Sequence, residues 1–127
     1  MSPQPIENGL RADPLVAEAI LAGDRRHFVA ALLVPDLQVL AASLGASLEQ
    51  AVRALDSEAV RARYQAVVDR ANQPLAQFER IKRFALVTEE VSMASGLLTP
   101  SLKIKRRVAD ERFRDVIEGL YRAAERP

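Results

Sequence analysis

The chain has 127 residues, no cysteine, a single histidine and a formal net charge of +1. The absence of cysteine excludes disulfides, thiolate catalysis and cysteine–zinc sites, and it is compatible with a reducing compartment. The lone histidine excludes a histidine-cluster metal site, and the near-neutral charge provides no general attraction to nucleic acid or to an anionic membrane. With 49% hydrophobic and 28% charged residues, the composition indicates one globular domain with its own core.

The N-terminal residues predict a short helix that starts almost at once. Ser2 suits the N-cap, Pro3 suits the first helical position, and Ile6 and Leu10 supply an apolar face before Asp13-Pro14 ends the helix. The residues before this helix do not resemble a signal peptide. A chain that opens on a capped helix is typical of a cut at a domain boundary in a longer protein, with a genuine short protein as the alternative.

Two apolar segments then predict a β-hairpin. Residues 16–22 and 28–34 are rich in strand-forming side chains and flank the polar residues 23–27. The second segment is apolar on both faces, which predicts a central strand. His27 lies at the edge of the loop, where we expect a solvated or capping side chain and not a catalytic one.

The middle of the chain predicts three helices. Asp36 is placed to cap a helix that ends at Leu44 and Gly45, and residues 47–50 have the spacing of a capping box, which opens a helix to about Leu55. Apolar residues at helical spacing predict a third helix from Asp56 or Ser57 to about Asn72.

The C-terminal half predicts one more strand and a long helix. Residues 81–87 form the strand, a short strand pair is expected about Gly96, and the last helix runs from Lys105 to about Ala124. The residues that this helix is predicted to bury are Ala109, Phe113, Val116, Ile117, Leu120 and Tyr121. The predicted fold class is α+β, with a small, mostly antiparallel sheet of about three strands plus the short hairpin, covered by helices.

A basic group at the entry to the last helix is the strongest candidate for chemistry. Gly96 permits a chain reversal and Pro100 stiffens the segment that follows, so Lys103 is predicted to lie on a presented tip. Arg106 and Arg107 oppose the dipole of the helix that they open, which indicates an anion nearby. The alternative is that Lys103, Lys105 and the two arginines form a solvated cluster.

Other chemistries are not supported by the motifs. The chain has no Gly-rich phosphate loop, no nucleophile elbow and no acidic cluster with metal-ligand spacing. The pair Glu89-Glu90 is interpreted as an exposed turn. Lys103 is therefore the one residue singled out for a chemical role.

Three segments carry a resemblance to a known family. Residues 98–107 (Leu-Thr-Pro-Ser-Leu-Lys-Ile-Lys-Arg-Arg) resemble the closing motif of the adenylate-forming, AMP-binding enzymes, and specifically of their long-chain fatty acid–CoA ligase branch. Residues 2–8 look like the segment after the hinge in those enzymes, and residues 78–84 resemble the segment before their last strand. The Ser101-Leu102 pair differs from the serine-glycine of the short-chain branches, which favours the long-chain branch.

The resemblance implies a mobile C-terminal lid domain, of which residues 1–127 are the whole. In such ligases ATP and a fatty acid give acyl-AMP and pyrophosphate, and the small domain then rotates so that coenzyme A forms the thioester. Lys103 matches the lysine of the first step, where it orients the carboxylate and offsets charge near the α-phosphate. The partner is the enzyme's own N-terminal adenylation domain, which we expect upstream of Met1.

The resemblance also sets expectations for ligands. ATP, Mg²⁺ with ATP, the fatty acid and coenzyme A belong to the full enzyme, and we expect this chain alone to bind none of them and to be inactive. Candidate residues for the coenzyme A side are Gly23 in the hairpin loop together with Arg80, Lys82 and Arg83. The alternative for these arginines and the lysine is ordinary solvated charge at a strand edge.

Two other functions remain open on the sequence. One is a stand-alone α+β interaction module with the same fold and no catalysis, which a stop codon upstream of Met1 would favour. The other is a small nucleic-acid-binding protein that uses residues 103–107, which predicts steeply salt-dependent binding; we expect no nucleic-acid partner. No apolar run approaches the roughly 18 residues of a membrane span, so the expected location is cytoplasmic, or peripheral to a membrane in the full enzyme.

Overall fold

The computed structural model describes residues 3–22 and 28–125, and these residues form an α+β fold. The described part contains six α-helices, three strands and two short 3₁₀ turns. The helices are α1 (Pro3–Arg11), α2 (Leu37–Leu44), α3 (Leu48–Arg53), α4 (Glu58–Asn72), α5 (Arg106–Arg112) and α6 (Arg114–Glu125). The strands are β1 (Val16–Ala22), β2 (Val29–Pro35) and β3 (Ile81–Leu86), and the 3₁₀ turns are Ala54–Asp56 and Gln77–Glu79. The predictions for Ser2, Gly23 and His27 lie outside the described residues.

The sheet has the order β1-β2-β3, and its pairing is mixed. β1 pairs antiparallel with β2, as the hairpin predicts, and the buried β2 is the central strand. β3 instead joins β2 in parallel, so the expectation of a mostly antiparallel sheet is corrected. The reason is the connection: α2, α3 and α4 carry the chain back to the end of the sheet where β2 begins, and a helical crossover of this kind produces a parallel pair.

A bulge in each edge strand adjusts which side chains face the core. In β1 the register shifts between Val16 and Glu18, and in β3 it shifts between Ile81 and Arg83. The extra residue in β3 is Lys82, and it allows Ile81 and Phe84 to lie on one face although they are three positions apart.

Two hydrophobic cores lie on opposite faces of the sheet. Val29, Ala31 and Leu33 of β2 face the core formed with α1 to α4, and Ala30 and Leu32 face the core formed with α5 and α6. This alternation is the period of a strand, so β2 is buried on both sides because helices cover both faces.

The local start and stop signals in the middle of the chain are confirmed. Asp36 accepts a hydrogen bond from the N–H of Val39, and Gly45 ends α2 in the left-handed region with φ 63°. Ser47 and Gln50 form both bonds of the capping box, and Ser57 caps α4. Each of these bonds satisfies a backbone group that a helix end leaves unpaired.

Tyr64 on α4, in the core formed with α1 to α4, has a raised pKa. Its side chain is fully buried, and its hydroxyl donates to the carbonyl of Leu15 at 2.9 Å. Burial, followed by the negative charges of Asp36 and Asp13, raises the pKa of Tyr64 to about 12. The phenol is therefore held neutral and ties α4 to the start of β1.

The last helix differs from its prediction because it is two helices. The chain leaves helical geometry at Phe113, which has φ −105° and ψ 18°. Ala109, Phe113, Ile117 and Tyr121 are buried at every fourth position, and four residues advance about 40° beyond a full turn, so such a stripe drifts around a single straight helix. The break keeps the stripe on the sheet. Val116, which was expected to be buried, lies off the stripe and is exposed, and Leu120 is half-buried.

Candidate functional site

The predicted tip around Lys103 is a short hairpin that packs against the core formed with α5 and α6. Leu97 and Leu98 are buried, and Gly96 before them has φ 82°, as the predicted reversal requires. Leu98 forms an antiparallel bridge with Ile104, and the N–H of Lys105 donates to the carbonyl of Leu97 at 2.8 Å. The strand pair expected about Gly96 is therefore centred further along. Residues 99–103, here called the lysine loop, form its tip.

Thr99 organises the lysine loop from within. Its N–H donates to the carbonyl of Lys103 at 2.8 Å, and its own carbonyl accepts from the N–H of Leu102 at 2.8 Å. Its Oγ1 accepts from the N–H of Lys103 at 3.0 Å and lies 3.1 Å from the hydroxyl of Ser101. Leu102 has φ 64°, a conformation that disfavours a side chain by roughly 1–2 kcal/mol. The hydrogen bonds of Thr99 hold this conformation.

Lys103 ends the loop with a free side chain. The residue is exposed, and within residues 3–22 and 28–125 its ammonium has no hydrogen-bond or ion-pair partner. Its backbone N–H and carbonyl are both bonded to Thr99. The geometry thus presents a cation on a fixed backbone, as the sequence predicted for its location.

A cleft of about 240 Å³ separates the lysine loop from α1. One wall consists of Pro3, Gln4, Glu7 and Arg11. The other consists of residues 102–104 and Arg106. Because both walls carry charged groups, the cleft is a polar site next to Lys103 and not a pocket for an apolar chain.

The anion expected near the start of the last helix is a side chain of the protein itself. Arg106 and Glu7 form a two-bonded ion pair, with Nη1–Oε2 at 2.5 Å and Nη2–Oε1 at 2.7 Å. Glu7 is only 1% exposed, and its Oε2 also accepts the N–H of Leu21 in β1 at 2.7 Å. Sequence reasoning missed Glu7, although an acid beside Ile6 on the apolar face of α1 was a signal that it needs a partner.

The three basic residues assigned to the coenzyme A side lie at the other edge of the sheet. Arg80, Lys82 and Arg83 are exposed, and Nε of Arg80 donates to the carbonyl of Leu75 at 3.1 Å. Since Ile81 pairs with Val29, they lie at the end of the sheet where β2 begins. Gly23, the fourth residue assigned to this side, lies outside the described residues. The structure therefore places the three basic residues at the β3 edge, whereas Glu7, which lines the cleft with Lys103, bonds to β1 at the opposite edge.

The described residues contain neither a candidate metal site nor a candidate membrane span. In residues 3–22 and 28–125, histidine and carboxylate side chains form no group of three that could hold a metal ion. None of the helices in those ranges has the length and apolar character that crossing a bilayer requires.

The fold is that of the C-terminal domain of adenylate-forming enzymes. The adenylation domain of a carboxylic acid reductase from Segniliparus rugosus, solved with AMP and a co-purified carboxylic acid, matches with a TM-score of 0.76 at 21% identity. The match covers 98% of this chain and 18% of that one. At this identity the likeness is one of fold.

Sequence comparison identifies the family. Residues 1–125 match the profile of the AMP-binding enzyme C-terminal domain, and the chain belongs to this family. The long-chain-fatty-acid–CoA ligase FadD15 of Mycobacterium tuberculosis is 31% identical over 95% of this chain and 21% of its own length. The putative fatty-acid–CoA ligase fadD11 of the same species is 37% identical over 100% of this chain and 23% of its own length. This chain thus spans about a fifth of the curated relatives it matches, and the resemblance seen in its motifs is confirmed.

Proposed function

We propose that this chain acts as the C-terminal domain of a long-chain fatty acid–CoA ligase and that Lys103 is its adenylation lysine. The names of the relatives support the ligase class, and the coverage supports a larger parent protein. The observation that carries the assignment of the lysine is the exposed, unpartnered Lys103 ammonium on a loop in which Thr99 bonds to the backbone of both Leu102 and Lys103.

In the first half-reaction the fatty acid carboxylate attacks the α-phosphorus of MgATP, and pyrophosphate leaves as acyl-AMP forms. Both reactants are anions, so a positioned cation lowers their repulsion and fixes the angle of approach. Lys103 is suited to this role because its charge is not consumed by a partner within the described residues. The neighbouring Arg106 is not suited, since Glu7 occupies both of its terminal nitrogens.

In the second half-reaction the coenzyme A thiol attacks the acyl carbonyl, and AMP leaves. We propose that the domain rotates between the two steps and turns a different surface toward the active site. Arg80, Lys82 and Arg83 are candidates to contact coenzyme A phosphates, since they lie together on the edge of the sheet away from Lys103. The N-terminal adenylation domain supplies the binding sites for MgATP and the acyl chain, so the chain alone is expected to be inactive.

The test is Lys103→Ala in the intact parent enzyme, with the two half-reactions assayed separately. Adenylate formation is followed by pyrophosphate release, and thioester formation is followed from preformed acyl-adenylate. We expect adenylation to fall about 10²- to 10³-fold, the effect of removing one stabiliser of transition-state charge, while thioester formation is retained. The matched control is Lys105→Ala, an exposed lysine two positions away, which should leave both rates unchanged. If both steps survive in Lys103→Ala, the lysine is surface charge and the proposed role is wrong.

A further inference from the structure

The contacts between Glu7 and Arg106 join two parts of the chain that are 99 residues apart. Each terminal nitrogen of the Arg106 guanidinium donates to one oxygen of the Glu7 carboxylate, so α1 fixes the orientation of the guanidinium plane. A paired arrangement of this kind defines direction as well as distance, which a single ammonium contact does not.

A third hydrogen bond, from the sheet, holds the carboxylate of Glu7 in place. Its Oε2 accepts the N–H of Leu21 in β1, an edge strand of the sheet. The Glu7 side chain is 1% exposed, so water has little access to the carboxylate oxygens, whereas the Arg106 side chain is 38% exposed. Buried ion pairs add little net stability compared with apolar packing, and a defined geometry is what such a pair can supply.

Arg106 is directly connected to the lysine loop. Between it and Lys103 lie only Ile104, which is bridged to Leu98, and Lys105, whose N–H is bonded to Leu97. The link is thus held by the two bonds that flank Ile104, from Thr99 N–H to the Lys103 carbonyl and from Lys105 N–H to the Leu97 carbonyl, and these bonds restrict pivoting of the loop. Glu7, Arg106 and Lys103 also line the same cleft.

We propose that the Glu7–Arg106 pair positions Lys103 for adenylation by locking the lysine loop to α1 and β1. This inference rests on the proposed function of Lys103. Glu7 and Arg106 are positioning residues that act through the lysine and do not touch the reacting groups. The pair makes α1 and the lysine loop move as one body when the domain changes orientation.

The experiment uses the full parent enzyme with Arg106→Lys and Glu7→Gln. Arg106→Lys keeps the positive charge and loses the paired hydrogen bonds of the guanidinium. Glu7→Gln keeps the shape of the side chain and loses the negative charge. For each we expect kcat of adenylation to fall about 10- to 100-fold, the size of effect that follows a misplacement of about 1 Å, with little change in KM for ATP. Thioester formation from preformed acyl-adenylate should be unchanged.

The matched control is Glu18→Gln. It breaks another ion pair between α1 and β1, in which Nη1 of Arg11 lies 3.1 Å from Oε2 of Glu18, without touching Arg106. We expect both half-reactions of this variant to stay within about twofold of the wild type, because the pair is partly solvated and does not contact the lysine loop. An equal loss in Glu18→Gln and Arg106→Lys would overturn the inference.

A double variant separates positioning from general destabilisation. If Arg106 acts through the lysine, Arg106→Lys should cause no further loss of adenylation in a Lys103→Ala enzyme. Losses that multiply, or a parallel fall of both half-reactions with a lower melting temperature, would show a structural role and overturn the inference. An unaffected Lys103→Ala enzyme would instead overturn the proposed function. Wild-type adenylation in Arg106→Lys beside a strong loss in Lys103→Ala would remove only the positioning role.

Discussion

The two basic regions of this domain have similar charges and very different surroundings. In the first, around the lysine loop, the N–H and the carbonyl of Lys103 are both bonded to Thr99, and Arg106 nearby is fixed by a buried carboxylate. In the second, at the β3 edge, the side chains of Lys82 and Arg83 are exposed and have no hydrogen-bond or ion-pair partner among the described residues. The two regions therefore differ in how firmly the backbone and the neighbouring side chains are held, and not in the number of charges, and this difference is the reason that we propose the catalytic role for the first region.

The largest expected contrast between the regions is in stability. Glu7→Ala leaves the buried N–H of Leu21 and the half-exposed guanidinium of Arg106 without their acceptor, and we expect a loss of about 2–4 kcal/mol in the free energy of unfolding. Lys82→Ala at the β3 edge should change it by less than about 0.5 kcal/mol. Urea unfolding of this chain, monitored by circular dichroism, measures both. A Glu7→Ala variant as stable as Lys82→Ala would remove the contrast.

A smaller effect, the pH dependence of stability due to Tyr64, tests whether the two basic regions unfold as one cooperative unit. α1 and β3 each pack in the core that contains Tyr64. The folded-state pKa of Tyr64, about 12, lies above the ordinary value of 10.0, so its stabilising contribution is complete below pH 10 and is lost as pH rises toward 12. We expect a loss of roughly 2–3 kcal/mol across that window, taking 1.36 kcal/mol per pKa unit.

Tyr64→Phe provides the control for this pH dependence. It should lower stability at neutral pH by about 1 kcal/mol, through the lost bond to the Leu15 carbonyl, and it should flatten the decline between pH 10 and 12. Spectroscopic probes of the lysine loop and of β3 should lose their signals together. Separate transitions would show that the two regions unfold independently.

The smallest expected effect concerns the second region alone. In the parent enzyme, Arg83→Gln should raise KM for coenzyme A about two- to fivefold at low salt, because one exposed charge contributes a fraction of a kcal/mol to attraction of a phosphate. Adenylation should be unchanged. Lys105→Gln is the matched control, because it removes one exposed charge just after the lysine loop, and it should leave KM for coenzyme A unaltered. Identical KM values in wild type and Arg83→Gln would leave the β3 edge as solvated charge.

Much of the local structure followed from short-range chemistry that the sequence displays directly. Asp36, Ser47 and Ser57 cap helices, and Gly45 and Gly96 adopt positive φ. The two apolar segments of the hairpin form strands as predicted. These outcomes depend on neighbours within a few residues, so a linear pattern contains the information. The exposed position of Lys103 belongs to the same group.

The features that the sequence left open depend on contacts between distant segments. The parallel entry of β3, the division of the last helix at Phe113 and the role of Glu7 as the partner of Arg106 each require elements from both halves of the chain to meet. The sequence alone established the family, the local elements and the presented lysine. Only the tertiary structure decided that Arg106 is not available to a ligand, because its partner Glu7 lies 99 residues away in the chain.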